Sequence, residues 1–212
     1  MHIFFLLFIH EIGHAITGII LGYQLDKITF YPYGGITSFN LPINIPLEKE
    51  LLILIMGPLF QIIGYIFLKP ICQDISVYHH VLLFFNLLPI YPLDGGKIIN
   101  ILWEYFLPYF KCFYWTFFSS ILVIGILFFY LLKSFNLNLF ITLVIIFIKL
   151  IDYFRKRYFY YQRFLLERYL YNYSFHRIKM VHQLTNFYRN CKHYINYEDE
   201  KKYLKKFFEK KE

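Results

Sequence analysis

Residues 3–22 read IFFLLFIHEIGHAITGIILG, an apolar run interrupted at its centre by His10, Glu11 and His14. About 20 mostly apolar residues, rising 1.5 Å each, suffice to cross the hydrocarbon core of a bilayer. The run therefore predicts a membrane helix carrying H-E-x-x-H. On a helix, positions i and i+4 share a face, so His10 and His14 can offer two imidazoles to one metal ion. Glu11 lies beside them, where it can take a proton from water activated by that metal. A charged residue at the centre of a membrane helix costs about 2.5–3.5 kcal/mol on insertion scales, which marks Glu11 as functional. Interfacial histidines are the plain alternative, but His10 lies about 10 Å into the span. The run lacks the basic start and small-residue cleavage site of a signal peptide, so it reads as a retained span; no obvious additional span lies ahead of it in the sequence.

Four more apolar stretches follow, at 51–68, 77–106, 113–132 and 137–151. The 77–106 stretch is broken by Pro89, Pro92, Gly95 and Gly96 and reads as helix, unwound segment, helix. Broken helices persist at membrane depth only where the freed backbone is buried in protein or faces a watery cavity. The composition agrees: 58% of the 212 residues are hydrophobic and 17% charged, against about 25% charged in an average soluble domain. That excludes disordered and collagen-like chains. Cys72, Cys112 and Cys191 are scattered and imply no disulfide framework. Residues 1–151 are electrically balanced, so the whole formal charge of +8 sits in residues 152–212. Arg155-Lys156-Arg157 directly follows the last span and places the C-terminus in the cytoplasm by the positive-inside rule. The expected fold is an all-α polytopic membrane protein with about five transmembrane helices, one of them broken. It divides into a membrane core at 1–154 and a basic helical tail at 155–212, cytoplasmic or interfacial. The loop at 23–50 holds a β-hairpin, with strand formers at 27–31 and 36–39 and Gly34-Gly35 as its tight turn.

A catalytic zinc ion takes three protein ligands and a water, so His10 and His14 need a partner from elsewhere. Asp94, in NLLPIYPLDGG (residues 86–96), is the only carboxylate of the 77–106 stretch before Glu104. Unwinding there lets a short side chain reach inward, and Gly95 and Gly96 let the backbone turn sharply. Asp94 could also cap the following helix, and the two roles are compatible. Asn86, inside an apolar run, needs hydrogen-bond partners. It could donate to a substrate carbonyl or developing oxyanion, or equally satisfy the freed backbone around Pro89. Thr116, Ser119 and Ser120 read as hydroxyls bonded back to their own helix. His79 and His80 read as interfacial histidines.

An H-E-x-x-H on a membrane helix, followed some eighty residues later by N-x-x-P-x-x-P-L-D-G-G, resembles the site-2 protease family of intramembrane zinc metalloproteases. Met56-Gly57-Pro58 with Gln61 resembles that family's small-residue motif. The spacing, the hairpin loop and the RFLLERY segment (residues 163–169) resemble its stage IV sporulation protein FB branch. The resemblance covers roughly residues 5–170. It implies that His10, His14 and Asp94 bind one Zn2+, that Glu11 is the general base and that Asn86 assists the scissile carbonyl. It also implies that the hairpin, through Phe30, Gly34, Gly35, Ile36 and Ser38, helps present an extended substrate. The branch often ends in a regulatory nucleotide-binding domain of paired β-α units, for which this tail reads as too short and too helical.

The function expected is hydrolysis of a peptide bond in or near the membrane-embedded segment of a membrane-associated protein, with a sigma-factor precursor suggested by the sporulation branch. A bacterial cytoplasmic-type membrane is the expected location. Inhibitory or regulatory membrane proteins are further candidate partners, and no nucleic acid is expected. The rival readings are a metal or proton transporter using the same four side chains as a relay, and an inactive relative that binds membrane proteins without cutting them.

Overall fold

The computed structural model describes residues 2–31, 34–70, 75–175 and 177–209. Helix α1 (His2–Ile20) is formed by the apolar run around H-E-x-x-H. Strands β1 (Leu25–Tyr31) and β2 (Gly34–Phe39) pair antiparallel, with Phe30 opposite Gly35 and Tyr31 opposite Gly34. The two glycines thus open β2 instead of forming the turn, and residues 32–33 and Cys72 fall outside the described residues. Helix α2 (Leu47–Leu68) starts directly after Pro46, with Glu48 and Glu50 in its first turn, where acidic side chains complement the helix dipole.

The 77–106 stretch is two helices, α3 (Ile75–Asn86) and α4 (Asp94–Phe106). Pro89 and Pro92 cannot continue a helix, and the hydroxyl of Ser120 accepts a hydrogen bond from the freed Tyr91 N–H at 3.1 Å. Gly95 and Gly96 lie in the first turn of α4 and do not turn the chain sharply. Their role is space, since a Cβ on either would overlap backbone of residues 87–91. Helix α5 (Tyr109–Lys133) begins after Pro108, and α6 (Leu137–Arg155) is capped by the Asn136 side chain, which accepts from Leu139 N–H at 3.2 Å. Among the described residues, α2, α5 and α6 are long and apolar enough to cross a membrane; α1 contributes a shorter apolar segment, Phe4–Ile20. With 12 and 13 residues, α3 and α4 each extend only about 18–20 Å, short of the ~30 Å core. The expected count of about five spans, one of them broken, is thus met in part: three helices of spanning length, the shorter α1, and a broken pair.

These helices bury polar side chains among their packed faces and expose apolar ones. His10, Glu11, His14, Gln61, His79, Asn86, Asp94, Glu104, Thr116 and Ser120 are buried, while Phe4, Phe8, Ile20, Phe67, Phe118 and Phe129 are exposed. That is the distribution of a protein whose outer solvent is lipid. His79 is buried rather than interfacial. Thr116 donates to Asn100 Oδ1 at 2.8 Å, so among the three hydroxyls of α5 it is Ser119 that bonds back to its own helix.

The tail departs from the helical expectation. Helix α7 (Arg157–Leu170) is followed by a three-stranded sheet: β3 (Ile178–Val181) lies parallel to β4 (Lys192–Ile195), which pairs antiparallel with β5 (Glu198–Asp199). Helix α8 (Glu200–Glu209) closes the unit. Asn196 and Tyr197, both with positive φ, form the two-residue turn between β4 and β5 that such hairpins prefer. His193 and Ile195 are buried and alternate with Lys192 and Tyr194. That is strand periodicity, hidden among aromatic and basic residues. Phe164, Leu165, Phe187, Ile195 and Leu204 form the core of this module together with Tyr109 and Phe113 of α5.

Two buried arginines fasten the module to the helices. Arg168 of α7 donates to Asn44 Oδ1 at 2.8 Å, to Glu200 Oε1 at 2.9 Å and to the carbonyls of Tyr188, Arg189 and Cys191. Arg189 is paired with Glu104 at the end of α4, at 2.6 Å, and with Glu50 at the start of α2.

Candidate metal centre

Helix α1 holds His10 and His14 one turn apart, with ring centroids 4.9 Å apart. Their Nε2 atoms lie 3.2 Å from each other. Asp94, in the first turn of α4, brings Oδ2 to 2.8 Å from His10 Nε2 and 3.1 Å from His14 Nε2. The residue preceding it, Leu93, is the helix cap, so the Asp94 side chain is turned toward the histidines and not onto its own backbone.

The far sides of both rings are held by α2. His14 Nδ1 lies 2.8 Å from the carbonyl of Ile53, which can only accept. His10 Nδ1 lies 3.0 Å from Gln61 Oε1. The Gln61 amide nitrogen donates to the carbonyl of His79 at 3.1 Å, which fixes its oxygen as the end facing His10. Each Nδ1 therefore carries the ring proton and each Nε2 presents a lone pair. Two bare imidazole nitrogens and a carboxylate oxygen converging in this way repel one another unless a cation lies among them. One added proton could satisfy a single contact, whereas a metal ion satisfies all three. Tetrahedral zinc with Zn–N bonds of about 2.0–2.1 Å places neighbouring ligand atoms roughly 3.3 Å apart, close to the spacing seen. The donors present fit such an ion.

Glu11 is buried beside this triangle, its carboxylate within 4.8 Å of the ligand atoms of His10 and His14. Thr37 of β2 donates to Glu11 Oε2 at 2.6 Å. Gly35 lies against the same carboxylate, which a Cβ would overlap. A cavity of about 160 Å³ opens next to Glu11, His14 and Asp94, and its hairpin lining is Gly35, Ile36, Thr37 and Phe39. Asn86, buried at the end of α3, faces the start of β2: its Oδ1 lies 3.2 Å from where a Cβ of Gly34 would be. The structure thus brings together His10, Glu11, His14, Asp94, Gly35 and Ile36, with Asn86 and Gly34 alongside. It does not bring in Phe30, which is half exposed on β1, or Ser38, which pairs with Lys27.

Sequence reading missed Thr37 and the contact of Gln61. Gln61 carries a usable signal, being a polar residue one turn beyond Gly57 in an otherwise apolar run. A Cβ at Gly57 would overlap His14 Nε2. Lys97 also approaches, its Nζ 3.5 Å from Asp94 Oδ1.

No family model matches the chain. Known proteins do. The chain is 30% identical over 211 residues to the stage IV sporulation protein FB of Bacillus subtilis, spanning 88% of this chain and 73% of that protein. It is 36% identical over 115 residues to a zinc metalloprotease of Methanocaldococcus jannaschii, spanning 46% of this chain and 33% of that one. The fold matches the solved site-2 protease of Methanocaldococcus jannaschii with a TM-score of 0.61 and 26% identity, over 73% of this chain and 76% of that one. With its inward-facing polar residues, its paired histidines opposite an aspartate and these relatives, the chain belongs to the site-2 protease family of zinc metalloproteases.

Proposed function

We propose that the protein is an intramembrane endopeptidase that hydrolyses a peptide bond in or beside the membrane-embedded segment of a membrane-associated protein. The observation that carries this reading is the convergence of His10, His14 and Asp94 with Glu11 buried next to them. These three residues would hold zinc, which when bound supplies a Lewis acid for the carbonyl and a water acidified toward pH 7. Glu11 takes the proton of the attacking water and passes it to the leaving amine. Thr37 keeps Glu11 Oε2 in place. The Asn86 amide is within reach of β2 and can donate to the substrate carbonyl as charge develops on its oxygen.

A helical substrate has its scissile carbonyl bonded within its own helix and must unwind to be cut. Pairing with the β1–β2 hairpin would replace the lost backbone bonds. The stretch from Gly34 to Ile36 suits this because it runs between Asn86 and Glu11; Phe30 and Ser38 would contact only flanking residues of the substrate. We read residues 1–154 as the membrane-embedded protease and 155–212 as a cytoplasmic module. Arg155-Lys156-Arg157 at the end of α6 supports that orientation by the positive-inside rule. The likeness to the sporulation protein favours a sigma-factor precursor as substrate and a bacterial cytoplasmic membrane as location.

The test is a zinc count on detergent-purified wild type, Glu11→Gln and Asp94→Ala, each incubated with a membrane-tethered substrate. The reading requires near-stoichiometric zinc in wild type and Glu11→Gln, loss in Asp94→Ala, and cleavage by wild type alone. Folded wild type without zinc would leave a transporter or scaffold as the better account.

A further inference from the structure

We infer that Gln61 is a positioning residue for the metal centre: its side-chain oxygen fixes the tautomer and direction of His10, and its nitrogen ties that ring to helix α3. This rests on the metalloprotease reading and extends it to a residue outside the H-E-x-x-H and Asp94 motifs.

Gln61 is completely buried in α2. Its Oε1 accepts from His10 Nδ1 at 3.0 Å, and its Nε2 donates to the His79 carbonyl at 3.1 Å and lies 3.4 Å from His79 Nδ1. His79 is itself held, stacked on Tyr65 with ring centroids 4.1 Å apart and planes 7° apart. The Tyr65 hydroxyl meets Ser76 at 3.1 Å. The amide is thus anchored at its nitrogen end before it meets His10.

The chemistry explains why an amide stands here. A metal-bound histidine needs an acceptor on its second nitrogen so that the first points its lone pair at the metal. A carboxylate would serve His10 but could not donate to His79, and it would add a charge inside an apolar helix. An aliphatic side chain would fill the space and leave Nδ1–H buried without a partner. The amide alone does both jobs without charge. Because α3 ends at Asn86, one side chain sets the spacing between the metal-facing ring and the helix that carries the proposed carbonyl-binding amide.

The experiment measures zinc dissociation constants of the full chain in detergent by competition with a chromophoric chelator, for wild type, Gln61→Leu and Gln61→Glu. The thermal midpoint of each zinc-free protein is recorded in parallel. Loss of such an outer partner typically weakens metal binding 10- to 100-fold, and that is the result expected for Gln61→Leu. Gln61→Glu keeps an acceptor for His10 but loses the bond to His79, so its zinc affinity is expected between those of wild type and Gln61→Leu. A purely structural role would lower the zinc-free midpoint of Gln61→Leu and leave its zinc affinity unchanged, which overturns the inference while wild-type zinc binding upholds the protease reading. If Gln61→Leu does not fold, Gln61→Met, which also lacks the acceptor and is close to glutamine in size, is measured in its place: zinc affinity within about twofold of wild type overturns the inference. A wild type that binds no zinc removes both.

Discussion

The Thr37 hydroxyl donates to the Glu11 carboxylate at 2.6 Å, joining the hairpin to the proposed general base. A hydrogen bond to a charged group contributes about 1.5–3 kcal/mol. Thr37→Val is therefore expected to lower kcat roughly tenfold, whereas Thr37→Ser keeps most of the activity. Zinc content stays that of wild type in both. Equal rates for valine and threonine would mean that the bond does not orient Glu11 during turnover.

Gly57 provides the second expectation. Its missing side chain leaves room for the metal-facing nitrogen of His14, which a Cβ would overlap. Both partners sit on packed helices, so the ring must give way. Gly57→Ala is expected to abolish zinc retention through gel filtration, while Gly125→Ala, where nothing lies within 4 Å of the new Cβ, changes nothing. Full zinc occupancy in Gly57→Ala would show that α1 and α2 can separate without harm.

The Arg189 pairs set the third. Removing one partner of a buried ion pair costs about 3–5 kcal/mol, because the other is left charged and unpaired. Arg189→Met is expected to destabilise by that amount. Adding Glu104→Gln removes the more deeply buried of the two stranded charges, Glu50 being partly exposed, so the double variant should recover at least about 1 kcal/mol, read from thermal midpoints. By contrast, breaking the exposed Lys206–Glu198 pair should leave the thermal midpoint unchanged.

The module is also expected to weaken in acid. Burial pushes the His193 imidazole below its ordinary 6.5, outweighing Glu200 beside it. Burial alone would raise the Glu200 carboxyl, but the bond from His193 and the guanidinium of Arg168 hold it below its usual 4.5. The signs agree. Unfolded His193 takes up a proton below about pH 6.5 while the folded ring resists, so stability falls from there as pH drops through the folded value. The Glu200 contribution is complete above about pH 4.5 and is lost as pH falls through its own depressed value. Thermal scans from about pH 7 to about pH 4 should show a falling midpoint, and Glu200→Gln should flatten its acid end.

The metal triangle was legible because helix periodicity is local: His10 and His14 declare their common face by spacing alone, and Asp94 is the first carboxylate of a broken helix. Thr37 and Gln61 were not legible as partners because a hydrogen bond across β2 and α1, or across α2 and α1, leaves no spacing in the chain. Gly34 and Gly35 misled by residue type. Glycine permits a turn, but here it permits a close approach of backbone to Asn86 and Glu11. The strands of the tail were missed because segments of four residues give periodicity too little length to stand out from a helical background.

Helix α4 has Asp94 in its first turn and Glu104 near its last, about 15 Å apart along one stiff rod. Arg189 grips the far end of that rod from the module at the chain's C-terminus. The module is thus a tiller for the carboxylate that faces His10 and His14. Trimming the chain after α6 removes the hand that steadies it, so loss of zinc, and not only loss of solubility, is the signature to look for in shortened proteins.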